Sequence, residues 1–306
     1  MRKLVLLAAL LGMFFVGGCI STSFLGTKEP EADAFAGGTD GLATEFVNLP
    51  STILSETPFD IIISVDNKGE TFVAGSAATF TLNNAGIFGI ADATKFNNID
   101  LSGIRQVRGT VSPGGQDQIF WQGAIFKGVV LTEQQSVPLA VDACYQYRTT
   151  GVSTICIARS DKTCQPIGDK VIESSGAPVQ ITSLRQIAQP SGGNVELGIS
   201  FEIANRGSGD VFPVEAICPD PDLNKKGAVT LDSIRLGSRL IKPQVCSDEI
   251  RTNCCSETTI STFRGEGSMD CRVSVQTTRD FEEQLAIELV YKYKDKIAAQ
   301  VNIIPF

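Results

Sequence analysis

The sequence predicts an all-β protein built as two tandem β-sandwich modules, and three observations predict it. Apolar residues alternate with others along several stretches, the period of a half-buried strand. Glycine is plentiful, at 29 of 306 residues, and turn-forming clusters punctuate the alternating stretches. Two patterns also recur, in the same order, in each half of the chain. With 42% hydrophobic and 20% charged residues the chain is globular, and its length suffices for two domains with cores of their own.

The chain starts with Arg2 and Lys3, then an apolar run from Leu4 to Val16, then Gly17-Gly18-Cys19. A basic start, a short apolar core and small residues at its end form a secretory signal. The run is shorter than the roughly 20 residues a comfortable membrane span needs. Val16-Gly17-Gly18-Cys19 resembles the lipobox of prokaryotic lipoproteins, in which the cysteine carries a lipid and becomes the new N-terminus. Residues 1–19 are thus expected to be a leader ending at Cys19, with an uncleaved N-terminal anchor helix as the alternative. Two acyl chains, at roughly 0.8 kcal/mol per buried methylene, make a durable anchor. Residues 20–42 have no sustained period and are rich in small and acidic residues, which predicts a flexible spacer.

"IIISVDNKG" (61–69) and "GISFEIANRG" (198–207) both end an apolar strand with Asn-[Lys/Arg]-Gly, and the asparagines lie 138 residues apart. "VPLAVDACYQYRTTGVSTICI" (137–157) and "QLAIELVYKYKDKIAAQVNI" (284–303) share a Tyr-x-Tyr alternation at an offset of 146 residues. The repeat predicts modules at 43–160 and 176–306 joined by a linker at 161–175, each opening near an N-[KR]-G strand and closing with a Tyr-x-Tyr hairpin. Several strands between turns at this length favour two-sheet sandwiches.

The net charge is −8 and histidine is absent. The acidic balance argues against nucleic acid and gives no support for a polybasic contact with anionic lipids. Without histidine there is no Ser-His-Asp or Cys-His nucleophile pair and no HExxH metal motif.

Apart from Cys19 there are eight cysteines, an even number in a chain expected outside the cytoplasm, which reads as a disulfide set. A three-residue loop at Thr149-Thr150-Gly151 would set Cys144 opposite Cys156, within cross-strand disulfide reach. Cys246 and Cys271 flank a loop-like insert and could close it. Cys164 and Cys218 could clasp the linker to the second module. Cys254 and Cys255 could bridge each other or pair elsewhere. Zinc is disfavoured, because close-spaced ligand pairs and histidines are missing.

Asp220, Asp222 and Asn224 alternate as calcium ligands do, but Lys225 and Leu231 stand where an EF-hand needs Gly and Glu, so an exposed loop is the preferred reading. Trp121, the one tryptophan, could form a ligand platform with Phe120. A lone Trp in a sandwich strand more often packs between the sheets. A GxSxG motif is absent, and no carboxylate pair stands out. No catalytic residue, metal or cofactor is expected.

"GGTDGL", "PFDIIISVDNKG", "CYQYRTTGVSTICI", "SGAPVQIT" and "FEIANRGSGDVF" together resemble archaeal surface lipoproteins that carry tandem Ig-like modules. The N-[KR]-G strand is similar to that of the cell-adhesion-related CARDB-like domains. The resemblance implies two Ig-like β-sandwich domains and a cell-surface location, with no catalytic residues to carry over; the "RTNCCSETTIST" insert departs from the pattern. The expectation is a membrane-anchored, outward-facing protein with a structural, adhesive or protein-interaction role, contacting another surface protein or a polysaccharide. Two other classes are an exported hydrolase acting through carboxylates and a solute-binding lipoprotein of a transporter. The latter would need alternating strands and helices, which the sequence lacks.

Overall fold

The computed structural model describes residues 35–128, 130–160 and 162–306, so Cys19, the leader and most of the expected spacer lie outside the described residues. The chain is an all-β sandwich, with two single 3-10 turns among the described residues, at Ala85–Phe88 and Leu223–Lys225. The first half runs through β1 (Leu42–Phe46), β2 (Thr52–Leu54), β3 (Phe59–Asn67), β4 (Thr79–Asn83) and β5 (Thr94–Phe96). A small hairpin, β6 (Arg105–Val107) and β7 (Thr110–Ser112), leads to β8 (Gln116–Ala124) and β9 (Gln135–Ile157). The expected linker carries β10 (Ile167–Lys170) and β11 (Ile172–Ser174), paired with neighbouring strands. The second half begins with β12 (Val179–Ser191), β13 (Asn194–Asn205), β14 (Asp210–Pro213), β15 (Ala228–Leu236) and β16 (Arg239–Ile241). It ends with β17 (Gln244–Val245), β18 (Cys254–Cys255), β19 (Thr259–Ser261), β20 (Glu266–Gln276) and β21 (Phe281–Ile304).

Sheet order carries the repeat. β1-β3-β8 form one sheet, and β12-β13-β20 stand in the corresponding order inside a second, between β10 and β18-β17. The third sheet runs β16-β15-β21-β9-β4-β5, the same from either end once the halves are equated. β9 and β21 pair antiparallel along their length, from Phe281 opposite Ile157 to Ile303 opposite Gln135. In this register Gln146 faces Lys292, and these two residues are each other's equivalents in the 146-residue repeat. A strand paired antiparallel with its own repeat defines a local two-fold axis at that point. The halves therefore share one sheet, and their buried residues form one continuous hydrophobic core.

Two Tyr-x-Tyr hairpins were expected; the structure has two unbroken strands of 23 and 24 residues instead. In β9 the odd-numbered residues face inward without interruption: Tyr145, Tyr147, Thr149, Ser153 and Ile155 are all buried. A turn at Thr149-Thr150-Gly151 would break that parity. Thr149 is instead a core residue whose hydroxyl donates to the Val179 carbonyl at 2.6 Å. Gly151 lies opposite Ile287, and a Cβ there would press on Ile181 at 2.6 Å. Close packing, rather than turn geometry, accounts for this glycine.

All four tyrosines of the chain, Tyr145, Tyr147, Tyr291 and Tyr293, are buried beside the axis. Their hydroxyls tie the shared sheet to the opposite sheets in matched fashion. Tyr145 accepts from the Leu42 amide at 3.0 Å and Tyr291 from the Val179 amide at 3.3 Å, the first residues of β1 and β12. Tyr147 accepts from the Thr71 amide at 3.4 Å and Tyr293 from the Gly209 amide at 2.6 Å, each two residues beyond an N-[KR]-G glycine. Tyr147 also donates to Asn67 Oδ1 at 2.8 Å, whereas its counterpart Asn205 Oδ1 is buried without a partner. The N-[KR]-G glycines, Gly69 and Gly207, do not adopt positive φ. Instead, a Cβ on either would collide with the Tyr147 or Tyr293 hydroxyl. Burial pushes all four phenols well above their ordinary pKa.

On the outer face of the shared sheet, repeat-equivalent ion pairs flank the axis. Arg148 meets Glu288 at 3.0 Å, and Lys294 meets Asp142 at 3.3 Å. Partly exposed pairs of this kind contribute about 0–1 kcal/mol each. Burial lowers the pKa of the Lys292 ammonium on the axis itself.

The end of the expected spacer is part of the folded body. The Gly37 amide donates to Glu70 Oε1 at 2.9 Å and the Lys68 amide to the Gly41 carbonyl at 2.8 Å. The free chain of the expected 20–42 spacer is therefore shortened from its C-terminal side, because small residues at 37–41 let it lie against Tyr145 and Gly176.

Candidate functional site

Every cysteine among the described residues is in a disulfide, but the pairing differs from the expected one. The bridges are Cys144–Cys218, Cys156–Cys164, Cys246–Cys254 and Cys255–Cys271, with Cα–Cα separations of 5.6, 5.7, 5.0 and 3.9 Å. Cys144 and Cys156 do not meet, because the strand between them is straight and holds them ~40 Å apart at ~3.3 Å per residue. Cys164 turns back to Cys156 and Cys218 reaches Cys144, so a Cys164–Cys218 clasp is not formed either. Cys246 and Cys271 are likewise separate. β18 lies between β17 and β20 and sets Cys255 directly opposite Cys271. Successive strand residues face opposite ways, which turns Cys254 away from its neighbour and toward Cys246. Tryptic cleavage after Arg148 separates Cys144 from Cys156, so non-reducing peptide mapping should recover the Cys144 peptide joined to the Cys218 peptide. A Cys144–Cys156 peptide would overturn this pairing. Losing the Cys144–Cys218 bridge should cost about 2–5 kcal/mol in chemical unfolding.

The two bridges at 246–271 border a concavity on the second sheet. A groove of about 860 Å³ lies on the outer face of β12, β13 and β20, walled by the insert at Cys246, Ser247, Asp248 and Ser256. Alternation puts Arg185 and Ile187, Gly198 and Ser200, and Asp270 and Arg272 on its floor. Register aligns them in two rows, Arg185–Ser200–Asp270 and Ile187–Gly198–Arg272. The arginines thus stand diagonally across β13, with the bare backbone of Gly198 between the flanking side chains. Neither guanidinium forms an ion pair or a side-chain hydrogen bond among the described residues. Two fork-shaped donors, two carboxylates and three hydroxyls can recognise a polar chain by hydrogen bonding.

Of the calcium candidates, Asp222 and Asn224 bond to each other and Asp220 lies near a lysine. Asp222 Oδ1 accepts from the amide and side chain of Asn224, both at 3.0 Å, which caps the second 3-10 turn. Asp220 is 3.9 Å from Lys294 Nζ. Among the described residues no group of three or more His, Cys, Asp or Glu is placed to hold a metal ion. Trp121 packs between the sheets, its Nε1 donating to the Ala93 carbonyl at 3.0 Å, while Phe120 faces outward on the other side of β8. No helix of the described residues is long and apolar enough to cross a membrane. Lipidation of Cys19 falls outside the described residues.

No protein-family model matches the chain, and no curated protein matches it.

Proposed function

We propose that the chain is a membrane-tethered, extracytoplasmic surface protein with a structural or adhesive role, anchored through Cys19. The observation that carries this reading is the use of cysteine. All eight in the folded part are bridged, a state that persists in oxidising compartments and is rare where glutathione and thioredoxin keep thiols reduced. The leader supplies the export route and the lipobox-like cysteine the anchor. Contacts with a surface protein or a polysaccharide would use exposed sheet faces, among them the groove beneath the bridged insert with its arginines, carboxylates and hydroxyls.

Intact mass of the protein recovered from the membrane fraction tests the reading. The expected species begins at Cys19, carries added lipid mass and gains eight hydrogens on reduction, two for each of its four bridges. A full-length chain without lipid and with free thiols would sink it.

A further inference from the structure

The β6–β7 hairpin pairs with no other strand among the described residues. Arg108 and Gly109 both have positive φ, at 52° and 76°, which makes a tight two-residue turn. Val107 is 47% and Val111 54% exposed. Val107 lies opposite Thr110 and Val111 opposite Gln106, so the two valines are on opposite faces of the ribbon. Between Gly103 and Gly115 the chain carries Arg105 and Arg108 and no carboxylate. Both arginines are exposed and unpaired among the described residues.

The root of this arm coincides with the point where the N-terminal segment joins the body. The Ile104 amide donates to the Gly69 carbonyl at 2.8 Å, and the Gly115 amide to Ser102 at 2.8 Å. The next residue, Glu70, receives the Gly37 amide on its carboxylate at 2.9 Å. Gly103 packs so tightly on the Glu70 backbone that no Cβ would fit. The segment around Gly37 and the base of the arm are therefore joined through Gly69-Glu70.

We propose that the β6–β7 hairpin is a second membrane contact, in which Arg105 and Arg108 meet anionic headgroups while Val107 and Val111 enter the lipid interface. The proposal rests on the reading of the chain as membrane-tethered. A flat protein partner would cover one face of the ribbon, whereas a lipid interface surrounds both faces and so accommodates an exposed valine on each. Arginine stems can lie along the apolar zone while their heads stay at headgroup level. The overall charge of −8 opposes approach to an anionic surface, but at physiological salt charges beyond ~8 Å are screened. The local charge of the arm then decides.

The test is hydrogen exchange on the native protein bound to vesicles rich in anionic lipid, compared with zwitterionic vesicles. Amides of 105–112 should slow on anionic vesicles only. Arg105→Gln with Arg108→Gln should raise the lipid concentration needed for that protection about thirtyfold, given about fivefold per basic residue at such a surface. Val107→Ser with Val111→Ser should also weaken it, while exchange elsewhere stays unchanged. Unchanged exchange at 105–112 on anionic vesicles, or equal slowing on both, overturns the proposal. Flotation of the same samples reports the tether separately. A chain that does not float but still shows protection of 105–112 at high vesicle concentration would refute the tether and support the arm.

Discussion

Titrated upward from neutral pH, the protein should show no tyrosinate absorbance through about pH 10, the ordinary phenol value, and then a single step coinciding with loss of the β-sheet signal. The chain has four tyrosines and all four are buried at the two-fold axis, so this absorbance reports the seam alone. Burial raises each folded pKa above its unfolded value. The fold therefore keeps its full stability below about pH 10 and loses it as pH climbs toward the folded values, because only the unfolded chain can release these protons. Four such groups make stability fall by on the order of 5 kcal/mol per pH unit in that window. At that slope about one to three pH units cancel the roughly 5–15 kcal/mol of a typical folded protein. A gradual rise in absorbance with the sheet signal intact would mean that the phenols reach water in the folded state.

Gly69→Ala should be among the most damaging single substitutions in the chain, at about 3 kcal/mol or more in urea unfolding. Its Cβ would meet the Tyr147 hydroxyl, the Asp40 carbonyl at 2.5 Å and the Gly176 carbonyl at 2.6 Å. Two of these three obstacles are backbone and cannot rotate away. Gly207→Ala, the equivalent change in the second half, meets the Tyr293 side chain and Pro178 Cβ at 3.0 Å, so its cost should be smaller. Gly193→Ala points into open space between β12 and β13 and serves as the control, expected within about 0.5 kcal/mol of the parent. Equal costs for all three would show that the tyrosine hydroxyls do not set the spacing between the sheets.

The alternation that marks β9 and β21 was legible because each strand buries one face. So was the repeat, because the tyrosines and the N-[KR]-G glycines do the same job in both halves. The length of those strands was not legible. Thr149-Thr150-Gly151 has the composition of a turn, and strands usually end after 5–6 residues. Pairing with β21, more than a hundred residues away in sequence, and with β11 at residues 151–153 keeps β9 straight. The cysteine pairs failed for the same reason, since Cys144 meets Cys218 across a separation of 74 residues. Trp121 was readable as core from its place in an alternating strand. The insert was visible as a departure from the pattern of the resembled lipoproteins, but its groove was not, because the floor is assembled from three strands at registers no local pattern specifies.

The pairing of β9 with β21 has a consequence for the order in which the chain can be completed. When residues up to 160 have been synthesised, β9 is present and the strand that covers its free side is not. A 23-residue edge with unpaired amides and carbonyls is an open template for any complementary strand. Since β9 is built to receive its own repeat, the readiest wrong partner is the β9 of a neighbouring nascent copy. Closure within one molecule must wait for the last strand, a high-contact-order event that β-rich folds complete slowly. Production of the first half alone should therefore give paired or aggregated material rather than a monomer.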